Sequence, residues 1–244
     1  IYTFLIGLNK SKWAYILSVL LFGIGLLTKE NIITVPFILL VYILIFRNKI
    51  KIKLPLITSL ILCLQSVLYA IWRLFPLNTA SSQPLSLIGE ATFAERLLTS
   101  PYIIWTYIRL LFVPYPLHME YHYVEKNLIN PYIIIVILIT ILFMYLIKKT
   151  NQKKTAIFLI LWFLLSLGPV YNIIIPLAST VREHWAYFGG IGIITWMVLL
   201  GNQYYSVLKR KKYKLIVASS LIIYISALVI TTIDRNYDWT DPLR

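Results

Sequence analysis

Seven apolar runs, each about as long as a bilayer's hydrocarbon core is thick, constrain this chain more than any motif does. They fall at residues 12–28, 30–47, 54–75, 131–147, 155–172, 185–202 and 214–233. A helix needs about 20 mainly apolar residues to cross that core, and within lipid every backbone N–H and C=O must be satisfied internally. A helix meets that condition and an open sheet does not. Only 13% of the residues are charged and 59% are hydrophobic, against roughly 25% charged in soluble domains. The chain therefore reads as an all-α integral membrane protein, a polytopic bundle of about seven complete spans. Cys63 is the sole cysteine, so neither a disulfide nor a cysteine metal site can form within the chain.

The net charge of +14 orients the bundle, because short cytoplasmic loops gather Lys and Arg. Three loops hold thirteen of the 23 basic residues: Arg47, Lys49, Lys51 and Lys53; Lys148, Lys149, Lys153 and Lys154; Lys209, Arg210, Lys211, Lys212 and Lys214. These loops, with Lys10 and Lys12, are expected inside. Segments 76–100, 114–130, 172–184 and 234–244 are near neutral or slightly acidic and are expected outside. The surplus charge then serves topology and contact with anionic membrane lipids, and nucleic acid is not an expected partner.

Segments 76–100 and 114–130 both come out external, so the apolar stretch between them should not cross alone. "ERLLTSPYIIWTYIRLLFVP" reads as an interfacial or re-entrant helix beginning near Pro101, with Tyr102, Trp105, Arg109 and Phe112 at helical spacing. Re-entrant backbone must be covered by protein or line a cavity, and an outer cavity is expected. The paired broken helices of transporters are not seen in the sequence. The opening "IYTFLIGLN" and the polar "DRNYDWTDPLR" read as cut ends of a longer protein.

Four polar clusters fall on the expected outer side. In "LLTKENIITVPF", Lys29 and Glu30 lie between two spans, where a charge costs about 2.5–3.5 kcal/mol on insertion scales. They are either an ion pair capping a helical hairpin or a functional pair. In "FAERLLTSPYIIWTYIRLLF", Arg96 and Arg109 offer planar forks of donors matched to phosphate oxygens, or Arg109 snorkels to the interface.

In "VPYPLHMEYHYVEK", His118, Glu120 and His122 alternate with Met119, Tyr121 and Tyr123, as an extended segment presents two faces. Imidazole and carboxylate are ordinary ligands for a divalent metal, but a polar, aromatic wall for a sugar or peptide suits the loop better, and no metal or cofactor is expected. In "STVREHWAYFGGIG", a span starting near residue 185 brings Glu183, His184 and Tyr187 onto one helical face. There His184 can donate to phosphate or carry a proton; the alternative is an interfacial aromatic belt.

Taken in order, "LLTKENIITVPFILLVY", "YIRLLFVPYPLHMEYHY", "STVREHWAYFGGIG" and "DRNYDWTDPLR" resemble the membrane part of GT-C glycosyltransferases with C-terminal tetratricopeptide repeats. That family includes the transmembrane O-mannosyltransferases acting on cadherins and their bacterial relatives. The resemblance implies a GT-C helix bundle that passes a hexose such as mannose from a polyprenyl-phosphate carrier to an acceptor protein or glycan, often a Ser or Thr hydroxyl, on the external or luminal face. Its catalytic acid residue belongs to a first external loop expected upstream of residue 1, so this fragment alone is expected to be inactive. The family's motifs fall on Lys29 and Glu30, on Arg109, on Glu120 and Tyr121, and on Glu183, His184 and Tyr187, with Arg96 as a further cation.

One departure is local. The family continues past that tyrosine with Leu-Pro-Ser, whereas here Phe188, Gly189 and Gly190 follow, which is expected to loosen the helix start. Richness in Ile, Lys, Asn and Tyr points to a bacterial plasma membrane. Two other classes stay open: a surface-polysaccharide polymerase or ligase using a lipid-diphosphate donor, and a transporter or scaffold without enzymatic activity.

Overall fold

The computed structural model describes residues 1–9, 11–74, 86–208 and 210–238. Lys10, Lys209, the first part of the 76–100 loop and most of the "DWTDPL" end lie outside the described residues, as does the side chain of Glu30. Among the described residues there are ten α-helices and no strand; the sole extended pairing is an antiparallel bridge between Tyr121 and Val181. The helices are α1 (Tyr2–Asn9), α2 (Trp13–Thr28), α3 (Val35–Phe46), α4 (Lys53–Leu74), α5 (Leu87–Glu90), α6 (Phe93–Phe112), α7 (Pro131–Lys149), α8 (Lys153–Ser166), α9 (Ala186–Val207) and α10 (Lys211–Asp238). This is an all-α polytopic membrane architecture.

Each of the seven apolar runs forms a helix, and five stretches are long and apolar enough to cross a membrane: Asn31–Lys49, Lys53–Trp72, Pro131–Lys149, Glu183–Val207 and Lys211–Tyr237. The other two runs are shorter than expected, α2 with 16 residues and α8 with 14. The run expected to continue to residue 172 stops at Ser166 because Pro169 follows within three residues, where the backbone tightens into the 3-10 turn Gly168–Tyr171. Proline removes a donor and disfavours helical geometry at the residue before it.

The helix expected not to cross is α6, which is not among those five stretches. It starts earlier than expected, at a capping box in which the Thr92 side chain accepts from the Glu95 N–H and the Glu95 carboxylate accepts from the Thr92 N–H. Pro101 therefore lies inside the helix rather than at its start. Pro101 cannot donate to the Leu97 carbonyl, and the Ser100 hydroxyl does so instead at 2.8 Å, so the helix continues through the proline.

Two buried clusters hold the bundle. One joins α1, α2, α3 and α4 through Phe4, Tyr15, Phe22, Leu39 and Leu62; the other joins α6, α8 and α9 through Tyr107, Phe163, Ile193 and Trp196. Edge-to-face rings of Tyr42 and Phe46 on α3 and Phe158 on α8 connect the halves. The tightest seam runs between α8 and α9. There Gly189, Gly190 and Gly192 are buried, and a Cβ at Gly192 would overlap the Leu159 carbonyl and stand 3.2 Å from the Phe163 nitrogen. The glycine run expected to loosen α9 instead lies within the helix, where the absent side chains let two backbones approach.

In contrast, none of the spanning windows of α7 and α10 is buried within the chain. α10 touches the bundle through the Tyr224 hydroxyl, which donates to the Phe112 carbonyl at 2.7 Å.

Candidate functional site

At the end of the bundle opposite the basic loops, two irregular segments are tied together before any candidate side chain is placed. The Tyr121 N–H donates to Val181 O at 3.0 Å, and the N–H groups of Thr180 and Val181 donate to Tyr121 O. The Thr180 hydroxyl accepts from the Tyr123 N–H and donates to Tyr123 O. Asn172, buried and left-handed at φ 59, folds the 172–181 segment around itself: its Nδ2 donates to Thr180 O at 3.1 Å and its Oδ1 accepts from the Leu177 N–H at 2.7 Å. Asparagine tolerates that conformation better than most residues because its short polar side chain bonds locally.

On this frame Arg109, Tyr121 and Glu183 come together. Arg109, in the last turn of α6, donates from Nη1 to the Tyr115 carbonyl, where its charge also complements the helix C-terminus. The Tyr121 hydroxyl lies 3.0 Å from Pro116 O and 3.3 Å from the Glu183 carboxylate, each an acceptor for its single proton. Glu183 also accepts from the His118 N–H at 2.6 Å. Burial first, and then the Glu183 charge, push the Tyr121 phenol above its usual range, so Tyr121 stays a neutral donor between a guanidinium and a carboxylate.

Glu120 is held by Arg182 at 2.6 Å and by His122 at 3.4 Å. Arg182 in turn donates to the Ser179 hydroxyl and lies over the Trp185 ring. The pair is about 30% exposed on each side, so it contributes about 1 kcal/mol or less; its role is to register the two segments.

The other expected residues are distributed around this core. Lys29 is the extended residue between α2 and the 3-10 turn Glu30–Thr34, and it lies within electrostatic reach of His184, as does Arg182. His184 is in the 3-10 turn Glu183–Trp185 that precedes α9. That turn changes the expected register: Glu183 faces His118 and Tyr121, while Tyr187 is 77% exposed. Arg96, near the other end of α6 from Arg109, has its Nε and Nη1 buried without a hydrogen-bond partner among the described residues.

The 118–123 segment does not present the two alternating faces expected of it, since Met119 is 67% exposed while Tyr121 is buried. The Tyr121 backbone pairs with Val181, but its neighbours do not continue a ladder. Among the described residues no group of three His, Cys, Asp or Glu side chains is placed to hold a metal ion. Arg182 and Asn172 were not singled out as site residues from the sequence. The readable signal was the opposition of "TVRE" to "MEYH", two short extended segments with complementary charges.

A second polar knot anchors the far side of the loop. Buried Glu125 accepts from the Tyr123 hydroxyl at 2.7 Å and from the Lys126 and Asn127 N–H groups. Its own N–H donates to Thr99 on α6, and the rings of Tyr102, Tyr123 and Tyr132 pack together beside it. The Asn127 N–H and then the Tyr123 hydroxyl hold the Glu125 carboxyl below its usual range.

A carboxylate whose folded pKa is lowered contributes stability above its unfolded value and loses it as pH falls toward the folded one. We expect the Lys126 and Asn127 amides, corrected for intrinsic exchange, to lose hydrogen-exchange protection as pH falls below about 4. Glu125→Gln should expose the same amides at neutral pH and flatten that dependence; protection independent of pH in the wild type would refute the knot.

Comparison with known families bears on the first part of this structure. Residues 1–72 match the family model of dolichyl-phosphate-mannose-protein mannosyltransferases. No curated protein and no solved structure matches the chain. The mannosyltransferase-like segment covers α1 to α3 and most of α4. Of the candidate residues it includes Lys29 and Glu30; Arg96, Arg109, Glu120, Tyr121, Glu183, His184 and Tyr187 follow it.

Proposed function

We propose that this chain is membrane machinery of a glycosyltransferase of the GT-C type, which moves a hexose, mannose in the first instance, from a polyprenyl monophosphate to an acceptor hydroxyl. The observation that carries this reading is the mannosyltransferase match over residues 1–72. Its Lys29 lies within electrostatic reach of His184, adjoining the cluster of Arg109, Tyr121 and Glu183.

In the transfer, the acceptor oxygen forms a bond to the anomeric carbon as the bond from that carbon to the phosphate oxygen breaks. Negative charge grows on the departing lipid phosphate, and fixed cations near it lower the barrier. Arg109 is the principal such cation, with Lys29 supporting it; His184, within reach of Lys29 and Arg182, serves as a hydrogen-bond donor, and Arg96, about 20 Å along α6 from Arg109, is left to a more distant part of the donor. Glu183 orients the group through Tyr121, and Glu120 does so through Arg182. Glu30 and the exposed Tyr187 are available to sugar hydroxyls. We assign the general base to none of these residues.

The finer resemblance, to enzymes with tetratricopeptide repeats that glycosylate protein Ser or Thr, belongs to the same proposal. So does the orientation, with this site on the external side of a bacterial plasma membrane; the three Lys-rich loops at the other end of the bundle support it.

A donor assay tests the reading on the full-length protein in membranes. Polyprenyl-monophosphate mannose should be consumed with transfer to a Ser- or Thr-rich acceptor. Consumption of a lipid-diphosphate oligosaccharide instead would move the chain to the polysaccharide ligases, and use of neither donor would favour a transporter or scaffold.

A further inference from the structure

Two of the three basic loops whose charge orients the bundle are more than a topology signal, because the fold joins them into one cavity of about 500 Å³. Its lining includes Phe46 at the end of α3 and Lys49 in the 3-10 turn that follows, with Asn151 and Gln152 just before α8 and Lys153 and Lys154 at its start. We propose that this cavity is a specific binding site for the headgroup of an anionic phospholipid, on the face opposite the candidate glycosyltransferase site.

Three features carry the inference. The first is charge: Lys49, Lys153 and Lys154 line one cavity, and α8 begins there with no side-chain cap. The helix therefore adds unsatisfied N–H groups and the positive end of its dipole. The second is order. Gln203 of α9 donates to Lys149 O at 3.1 Å and accepts from the Thr150 hydroxyl and the Asn151 N–H. The 149–152 segment is thus fixed before a ligand arrives, which lowers the entropic cost of binding.

The third feature separates a lipid from a free anion. Phe46 belongs both to the cavity wall and to the ring cluster with Tyr42 and Phe158, which continues along α8 to Trp162. A cationic rim beside apolar and aromatic side chains, Ile45 and Phe46 on the wall with Phe158 against Phe46, suits a molecule with a phosphate at one end and acyl chains at the other. Inorganic phosphate would use only the rim.

The test uses full-length protein in nanodiscs of phosphatidylcholine with and without phosphatidylglycerol. Native mass spectrometry should find phosphatidylglycerol retained, with a higher melting temperature in the anionic discs. Replacing Lys49, Lys153 and Lys154 together by Ala should weaken retention by about a hundredfold while leaving the melting temperature in pure phosphatidylcholine unchanged. Replacing Lys51, Lys53 and Lys212 together by Ala removes the same charge outside this cavity and should leave retention intact.

Equal loss in both variants would mean diffuse attraction and overturn the site. An equal rise in melting temperature with inorganic phosphate alone would overturn the lipid. If the cavity variant unfolds in phosphatidylcholine, the single substitution Lys154→Gln decides by the same retention measurement.

Discussion

Arg109→Ala is expected to lower turnover of the lipid-linked donor by about 10²–10³-fold in the full-length protein, the usual effect of removing one preorganised donor to a developing anion. Arg109 also holds the Tyr115 carbonyl, so the alanine variant loosens the 113–116 turn as well as removing a cation. Arg109→Lys separates these effects. Lysine keeps the charge but loses the planar fork that reaches phosphate and carbonyl together. It should remain folded, as judged by an unchanged melting temperature, and still lose most turnover. Donor kinetics then discriminate further: a loss in kcat and kcat/KM alike is a transition-state effect, whereas a rise in KM alone marks ground-state lipid binding. Unchanged turnover in both variants would remove Arg109 from the leaving group.

Gly192→Ala is expected to have the largest effect on folding. The added methyl would meet the Leu159 carbonyl, the Phe163 nitrogen and the Trp162 Cβ, two of them backbone atoms that cannot rotate away. Overpacking typically costs 1–3 kcal/mol, and about 3 kcal/mol is expected here because α8 and α9 must separate along their length. The neighbouring glycines order the effect. At Gly190 the nearest atom is the end of the Leu111 side chain, which can turn aside, and at Gly201 nothing lies within 4 Å. Thermal melting in detergent should therefore rank Gly192→Ala well below Gly190→Ala, with Gly201→Ala near the wild type. Equal melting of all three variants would refute the seam.

The helices were legible because apolar length and loop charge are local quantities. The seven helical runs follow from counting apolar residues between basic and polar loops. What escaped depends on partners far along the chain. Pro101 was taken for a helix start, since the hydroxyl of Ser100 that relieves it is not a sequence signal of continuation. Gly189 and Gly190 were read as weakness, because a glycine run means close approach only when α8 is known to lie against it. Arg182 reaches Glu120 only because Val181 pairs with Tyr121, a contact between segments far apart in the chain. Tyr187 misled through register: a 3-10 turn at Glu183–Trp185 does not stack residues as an α-helix does.

The lipid-facing flank of α10 sets how freely its sequence can drift. Where a span window has no buried residue, its exposed positions are constrained mainly by hydrophobicity, so Leu, Ile, Val and Phe are nearly interchangeable there. Position 224 on α10 stands apart, because its hydroxyl reaches the last carbonyl of α6. Exchange to Phe there leaves the helix just as greasy and erases its rotational address. Over long divergence the lipid-facing apolar positions of α10 should thus drift while the hydroxyl at position 224 is held.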